Sequence, residues 1–441
     1  MRLSQRRAAI ASTWKLRAAY GAGDAGFNFC CVLLDTFLIF FCTEIAHLPA
    51  WGLGVILITG RICDVVMGVV AGVLADRTRS RFGSFRPWMF CAAPVLLLSM
   101  SAVFAAPGQW PNRLTGSTSA VVWVALSYGL LSSTYAAANV AYTAVLSVVT
   151  LDASERTALA SARFAFAAAA VFLVNISTFP LAFQLGGGDA ATGWQRTALL
   201  YGFVAAALLL VCVAGTRERV RPSRGLSTNE DLYAVLRTRG FLRLVVGLGL
   251  CLAAFGCRGA IAVLYFRNHA HLGEHISLLL GCNTAAAFVS CAMLAMLPSS
   301  RVPRYSLAHG CCAAGLILST LCGVSSPSDL FSWVLLQTAF GFTTGPLVAA
   351  IMALLFDLPA RSPGLLGHSV SGVISSAAVL MLKLGSTAGV LIVSQVLAYV
   401  HFQPGASQAS QSGAPLTWLL CFVPAAFFAL AAMLLWPARS S

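Results

Sequence analysis

The sequence predicts an all-α membrane protein with twelve transmembrane helices in two six-helix halves. Three observations predict this fold: an apolar composition, long apolar blocks, and one polar interruption near the middle of the chain. The 441 residues are 59% hydrophobic and 10% charged, and the mean hydropathy is +0.83. Because a soluble domain carries about 25% charged residues, this composition indicates an integral membrane protein.

The apolar residues form twelve blocks, each close to the roughly 20 residues that a membrane-spanning helix needs. A transmembrane β-barrel would instead show alternating segments of about ten residues, so the blocks predict helices. They lie at about 20–44, 51–75, 88–107, 120–149, 158–184, 195–215, 241–266, 276–298, 305–324, 329–356, 366–400 and 415–436.

The largest polar break separates six blocks from six. It predicts an N-terminal half at 1–215, a cytoplasmic linker at 216–240 and a C-terminal half at 241–441. Within the linker, the residues at 227–230 predict the capped start of a short helix on the membrane surface. Two such halves are typical of secondary transporters, whose solute site lies between them near the bilayer midplane.

Basic residues are concentrated in alternate loops. The loops on the opposite side hold only Arg113, Arg196 and Arg267. By the positive-inside rule this asymmetry places both termini in the cytoplasm, and we expect a multi-pass protein of a bacterial inner membrane without a cleaved signal peptide. The net charge of +14 then reflects topology and attraction to anionic membrane lipid, and nucleic acid is not an expected partner.

Charged residues inside the predicted spans are costly and mark candidate functional sites. Asp64 lies in the middle of the second span, and Arg61 lies three residues earlier on the same helical face. The two residues form either a structural ion pair or a coupling and gating group. On the first span Asp24, Asn28 and Asp35 share about one face. Asp35 is the deepest, and it is either a protonation site or a protonated acid that hydrogen-bonds a neighbouring helix.

A polar stripe on the fourth span consists of Tyr135, Asn139 and Tyr142. Hydroxyl, amide and aromatic groups on one face suit a polyhydroxylated ligand, although hydrogen bonds between helices explain them equally well. Two basic residues lie near or within other spans, namely Arg163 and Lys383. Arg258 of the seventh span is the weaker candidate, because we expect it near the outer boundary.

The loop between the second and third spans carries Asp76, Arg77, Arg79 and Arg81. We interpret the loop as a latch that holds one conformation closed on the cytoplasmic side; charges that only set the topology are the alternative. We expect no metal and no cofactor, because the fourteen cysteines show no metal-ligand spacing. Histidines 269, 271 and 275 fall in an exposed loop.

Several motifs together resemble one known family. They are YGAGDAGFN, FLIFFCTE, GRICDVVMG, GVLADRTRSRFGSFRPW, STYAAANVAY and TLDASERTALASARF, with MLKLGSTAG in the second half. On these motifs the chain resembles the glycoside–pentoside–hexuronide cation symporters of the major facilitator superfamily. The resemblance implies alternating access and transport of a sugar or glycoside with a cation. By position it implies a sugar site with Asn28, Tyr135, Asn139 and Arg163, a coupling carboxylate at Asp64, and a lysine near the acidic cluster at Lys383.

The chain departs from this family pattern at the cation site. Gly68 stands where the family has a second carboxylate, Met67 replaces a polar residue, and Ala136 replaces a hydroxyl. Because sodium requires several oxygen ligands, we expect coupling to a proton through Asp64 or Asp35, or uncoupled transport.

The expected function is therefore secondary transport of a small hydroxylated solute by a monomer. An exporter of a secondary metabolite or lipid-like molecule on the same scaffold is the alternative. A membrane sensor that transports no solute is a weaker alternative. An enzyme is not expected, because no convergent catalytic set is visible.

Overall fold

A computed structural model of the protein describes residues 2–78, 80, 82–105, 117–149, 153–216, 238–296, 304–361, 371–400 and 413–436. Twelve helices in these ranges are long and apolar enough to cross a membrane. The predicted all-α fold with twelve spans is thus confirmed. The chain divides into two compact units, Met1–Ser223 and Arg224–Ser441.

Six helices form the described part of the first unit. Helix α1 begins at Arg2 and continues to Ile45 in four pieces: Arg2–Val32, the π-helical Leu33–Phe37, Leu38–Phe40 and the π-helical Phe41–Ile45. The others are α2 (Ala50–Arg77), α3 (Arg86–Val103), α4 (Ser117–Val149), α5 (Ala153–Gly186) and α6 (Ala190–Gly215).

The second unit repeats this organisation. Its helices are α7 (Arg239–Asn268), α8 (Ile276–Met296), α9 (Arg304–Val324), α10 (Leu330–Arg361), α11 (Ser371–Tyr399) and α12, which consists of Gly413–Thr417, the π-helical Trp418–Phe422 and Val423–Leu434. In the first unit α1 packs on α5 and α6, and α4 packs on α2 and α3. In the second unit α7 packs on α11 and α12, and α10 packs on α8 and α9.

Glycines allow close helix contacts in both units. A Cβ on Gly60 would lie 2.1 Å from a ring carbon of Tyr128, so α2 and α4 require glycine here. In the second unit a Cβ on Gly389 would lie 2.1 Å from the Ala253 carbonyl oxygen, which brings α11 against the backbone of α7. Small residues at such contacts are typical of membrane helix pairs.

The first helix of each unit ends with the same tripeptide, Ala-His-Leu. His47 and His271 adopt the left-handed conformation, with φ values of 48° and 55°. The N–H groups of Leu48 and Leu272 then donate back to carbonyl oxygens six residues earlier, each at 2.8 Å. This is the glycine-type helix ending built with histidine, and it occurs at corresponding positions of the two units.

Candidate functional site

An ion pair joins α1 to α5 in the first unit. The Arg163 Nε lies 3.0 Å from Asp24 Oδ1, and the Asp24 side chain is 9% exposed. Asn28 lies one turn after Asp24 and donates its Nδ2 hydrogen to the Asp24 backbone carbonyl at 2.8 Å. The buried carboxylate therefore has a charged partner, as a charge in a membrane requires.

Aromatic rings surround this ion pair. The Arg163 guanidinium lies 5.2 Å from the centroid of the Tyr142 ring, within the range of a cation–π interaction. The Tyr142 hydroxyl donates to the Tyr20 carbonyl at 2.9 Å, and the two tyrosine rings stack at 4.7 Å. Phe27 contacts Tyr135 edge to face at 5.3 Å. Of the predicted stripe, Tyr142 thus lies beside the Asp24–Arg163 pair, and Tyr135 contacts Phe27 of the same helix α1.

Asn139 is the third member of that stripe. Its Oδ1 is buried and has no hydrogen-bond partner among the residues that the structure describes. A buried acceptor without a donor costs free energy, so Asn139 carries an oxygen that can accept a hydrogen bond from a ligand.

A second ion pair joins α1 to α2. Arg61 Nη2 lies 3.2 Å from Asp35 Oδ1, and the Cys31 thiol lies 3.1 Å from Asp35 Oδ2. Asp35 belongs to the π-helical segment Leu33–Phe37. Sequence reasoning placed Arg61 beside Asp64 on one helix but did not foresee this partner on another helix. Arg61 also interacts electrostatically with Asp64 and Tyr128.

Asp64 itself is buried, with 5% of its surface exposed. One turn further along α2, a Cβ on Gly68 would meet no described atom within 4 Å. Met67 is half-buried, and Ala136 is fully buried. The position at which the resembled family carries a second acid is therefore open space next to Asp64.

Among the described residues of the second unit, one arginine is buried. We expected Arg258 near the outer boundary, but the residue is only 4% exposed. Its Nη2 donates to Gln337 Oε1 at 2.6 Å, and its guanidinium lies 3.9 Å from the centroid of the Phe340 ring. Neutral groups from other helices enclose the charge, and the expected position near the outer boundary stays a prediction. Gln337 was missed, although an amide in an apolar span was a usable signal.

Lys383 lies on α11 and is half-buried. Its backbone carbonyl accepts a hydrogen bond from the Thr387 hydroxyl at 2.6 Å. This residue belongs to the second unit, whereas the acidic residues of the polar cluster belong to the first. Its predicted role near the acidic cluster stays a prediction.

The predicted cytoplasmic latch falls on positions outside the described residues: the side chains of Asp76 and Arg77, and the whole of Arg79 and Arg81. The linker segment 217–237 is outside them too. A neighbouring arginine that sequence reasoning did not single out is described. Arg86 donates to the Val213 carbonyl at 2.6 and 2.9 Å, and so it satisfies a free carbonyl at the end of α6.

No cluster of three or more metal-ligating side chains occurs in the described part of the chain. His269 and His271 lie next to each other in the connection after α7. Burial, with a smaller contribution from His271, lowers the pKa of His269 below its ordinary value.

Comparisons with known proteins agree with this architecture. The profile of the family described as MFS/sugar transport protein matches residues 19–438. The chain is 33% identical over 220 residues to the inner membrane symporter YicJ of Escherichia coli K12, covering 49% of this chain and 46% of that protein. It is 24% identical over 438 residues to the isoprimeverose transporter of Lactiplantibacillus pentosus, covering 96% and 88%.

A solved structure has the same fold. The crystal structure of a D-xylose-proton symporter superimposes with a TM-score of 0.62 at 16% identity, covering 96% of this chain and 97% of that one. The family profile spans nearly the whole chain. The protein therefore belongs to the MFS/sugar transport protein family of the major facilitator superfamily, and it is a membrane transporter and not an enzyme.

Proposed function

We propose that the protein moves a sugar, glycoside or similar hydroxylated solute across a bacterial inner membrane by alternating access of its two units. The names of the relatives, an isoprimeverose transporter among them, support this solute class. The positive-inside asymmetry supports a cytoplasmic location of both termini. We expect the working form to be a monomer.

One observation carries the proposal: the arrangement of Asp24, Arg163, Tyr142 and Asn139. A charged pair can exchange hydrogen bonds with solute hydroxyls. An aromatic face lies beside the pair and can cover the C–H surface of a sugar ring. The Asn139 oxygen has no described partner and can accept a hydrogen bond from a hydroxyl. Few convergent polar groups on an apolar wall are typical of small-molecule sites.

The coupling ion in this proposal is a proton, with Asp64 and Asp35 as the carboxylates, or transport is uncoupled. The open position at Gly68 supports this choice over sodium, because a hard cation requires more oxygen ligands than one carboxylate supplies.

Transport by purified protein in vesicles tests the proposal. Labelled isoprimeverose and a panel of methyl glycosides would be offered under a pH gradient, under a sodium gradient and without a gradient. We expect uptake of at least one glycoside, with loss of uptake in Asp24→Asn and in Arg163→Gln. Arg196→Gln is the matched control, because Arg196 is exposed on α6 and its guanidinium donates to the Leu185 carbonyl at 2.9 Å.

The result that overturns the proposal is transport of no offered sugar in either direction. Efflux from preloaded vesicles without uptake would instead support the exporter alternative.

A further inference from the structure

We propose that Asp35 accepts the coupling proton and that Arg61 moves between Asp35 and Asp64 according to whether Asp35 carries that proton. The inference rests on the proposed function and names its coupling ion. In this inference the Arg61 guanidinium supplies the positive charge beside Asp64 that a bound metal cation would otherwise supply.

The first support is the shared arginine. Arg61 pairs with Asp35 at 3.2 Å, and it lies three residues before Asp64 on the same face of α2. Side chains at this spacing are neighbours, and the electrostatic interaction of Arg61 with Asp64 is present in this state as well. The Arg61 guanidinium therefore interacts with two carboxylates on two helices. A small rotation of its side chain changes which of the two carboxylates lies closer to it.

The second support is the difference in exposure between the two acids. The Asp35 side chain is 37% exposed, whereas the Asp64 residue is 5% exposed. A proton can therefore reach Asp35 from outside the packed helices. Asp64 is buried, and a buried carboxylate is stabilised when a cation is close. Asp35 is therefore the more accessible of the two acids, and the buried Asp64 is the alternative partner for Arg61.

The third support is the local backbone. Asp35 lies in the first of two π-helical segments in α1, Leu33–Phe37 and Phe41–Ile45. Single-turn π-segments interrupt the regular helix and occur frequently at functional sites. A change of charge at Asp35 therefore occurs at a position where the backbone of α1 is irregular and can deform.

Among the described residues, a thiol and two phenols are the other titratable groups that interact with this pair. Cys31 of α1 contacts Asp35, and Tyr128 of α4 interacts with both Arg61 and Asp35. Tyr135 of α4 lies beside Cys31. Elsewhere on α1 and α5, the charged residues Asp24 and Arg163 pair with each other. Thiols and phenols are ordinarily neutral at physiological pH, so the carboxylates carry the change of charge.

A hydronium ion transfers its proton to one Asp35 carboxylate oxygen, where an O–H bond forms, and the remaining water leaves, so Asp35 becomes neutral. The contact from Arg61 to Asp35 is then weaker, and Arg61 turns toward Asp64 without losing its own proton. Release of the proton to water reverses the step, so one proton is carried for each cycle.

Two measurements on the full-length protein in lipid vesicles test this inference. The first is infrared difference spectroscopy between acidic and mildly alkaline pH, which detects the carbonyl band of a protonated carboxylic acid and needs no solute. We expect a band in the wild type that Asp35→Asn removes and that Asp64→Asn and Asp35→Glu retain.

The second measurement is transport of labelled isoprimeverose, or of the methyl glycoside that the wild type takes up. In Asp35→Asn we expect equilibrium exchange to continue, while accumulation driven by a pH gradient falls to the level reached without a gradient. Asp35→Glu should restore accumulation and so excludes a folding defect as the cause.

A band that persists in Asp35→Asn and disappears in Asp64→Asn would overturn the assignment. Unchanged proton-driven accumulation in Asp35→Asn would do so as well. If the wild type transports no sugar, the proposed function fails, whereas the infrared result still decides whether Asp35 takes the proton.

Discussion

The Arg258 guanidinium donates to the Leu420 carbonyl at 3.3 Å, four residues before Pro424. In a regular α-helix the N–H of residue 424 would donate a hydrogen bond to that carbonyl, but proline has no N–H. The adjacent Cys257 thiol donates to the Leu419 carbonyl at 3.2 Å. Two neighbouring side chains of α7 thus satisfy the two carbonyls of the π-helical segment of α12 that Pro424 affects.

We predict that Arg258→Met lowers the stability of the protein to heat, because it leaves Gln337 and the Leu420 carbonyl without this donor. Each buried polar group left unsatisfied costs about 1–3 kcal/mol. The measurement is thermal unfolding in detergent, with Arg243→Met as the control because Arg243 is exposed on the same helix.

A double-mutant cycle with Pro424→Ala identifies the cause. Alanine restores a backbone N–H, so Arg258→Met should cost less in the Pro424→Ala background than in the wild type. Equal costs in both backgrounds would show that Arg258 does not act through the carbonyls before Pro424.

Arg163→Lys should impair transport although it keeps the positive charge. Lysine is a compact ammonium without the planar group that stacks on a ring, so the contact with Tyr142 at 5.2 Å is lost. A cation–π interaction is worth about 0.5–2 kcal/mol, which corresponds to a loss of roughly twofold to thirtyfold in kcat/KM for uptake. Arg196→Lys is the control, and equal kcat/KM values in both variants would contradict this role.

Much of the fold could be predicted from the sequence, because long apolar runs indicate membrane helices and both units contain such runs. The stripe of Tyr135, Asn139 and Tyr142 was also predictable, because it depends only on spacing along one helix. The partner of Arg61 on another helix could not be predicted. Asp35 lies 26 residues away on another helix, and hydropathy does not encode which faces of two helices meet.

The burial of Arg258 among other helices was missed for the same reason. An arginine near the end of an apolar run indicates the membrane boundary unless other helices supply neutral partners, and those partners are known only from packing. Pro424 was the local signal, since a proline inside a span predicts carbonyls that need a donor from elsewhere. The roles of Asp76, Arg77 and Arg81 stay predictions.

His47→Gly and His271→Gly should each raise stability. Both histidines have positive φ, a conformation that costs a residue with a Cβ roughly 1–2 kcal/mol and costs glycine little. Thermal unfolding is the measurement, and His→Ala at the same positions is the control because alanine keeps the Cβ. Greater stability with alanine than with glycine would mean that the backbone conformation is not the source of the cost.

Stability should depend on pH through His269. Its pKa in the folded protein is lowered, first by burial and then by His271, so the unfolded chain binds the proton more readily than the folded one. As the pH falls below the ordinary histidine value of about 6.5, the unfolded state is favoured. The contribution to stability is therefore complete above that value and is lost below it.

Thermal unfolding of wild type and His269→Phe at a series of pH values measures this effect. The difference between the two proteins should grow as the pH falls below the ordinary value, with the variant the less sensitive one. Phenylalanine suits the position because the ring contacts Tyr265 with centroids 5.1 Å apart. Parallel pH profiles of the two proteins would assign the dependence to other groups.

Gly68→Asp should introduce a binding site for sodium. The position has open space for a Cβ among the described residues, and it lies one helical turn after Asp64, so the new carboxylate would stand beside the existing one. Without a cation the like charges repel, and the variant should be less stable than the wild type. Sodium would relieve the repulsion, so added sodium chloride should raise the midpoint of thermal unfolding more for the variant than for the wild type.

Gly68→Asn is the matched control for this variant, because it has nearly the same shape without the charge, and choline chloride controls for ionic strength. Sodium should stabilise Gly68→Asp and leave Gly68→Asn unaffected beyond the choline effect. If sodium stabilises neither variant, the absence of an acid at this position is not what excludes sodium. The remaining obstacle would then be the oxygen ligands that Met67 and Ala136 do not supply, because a hard cation binds through several oxygens at once.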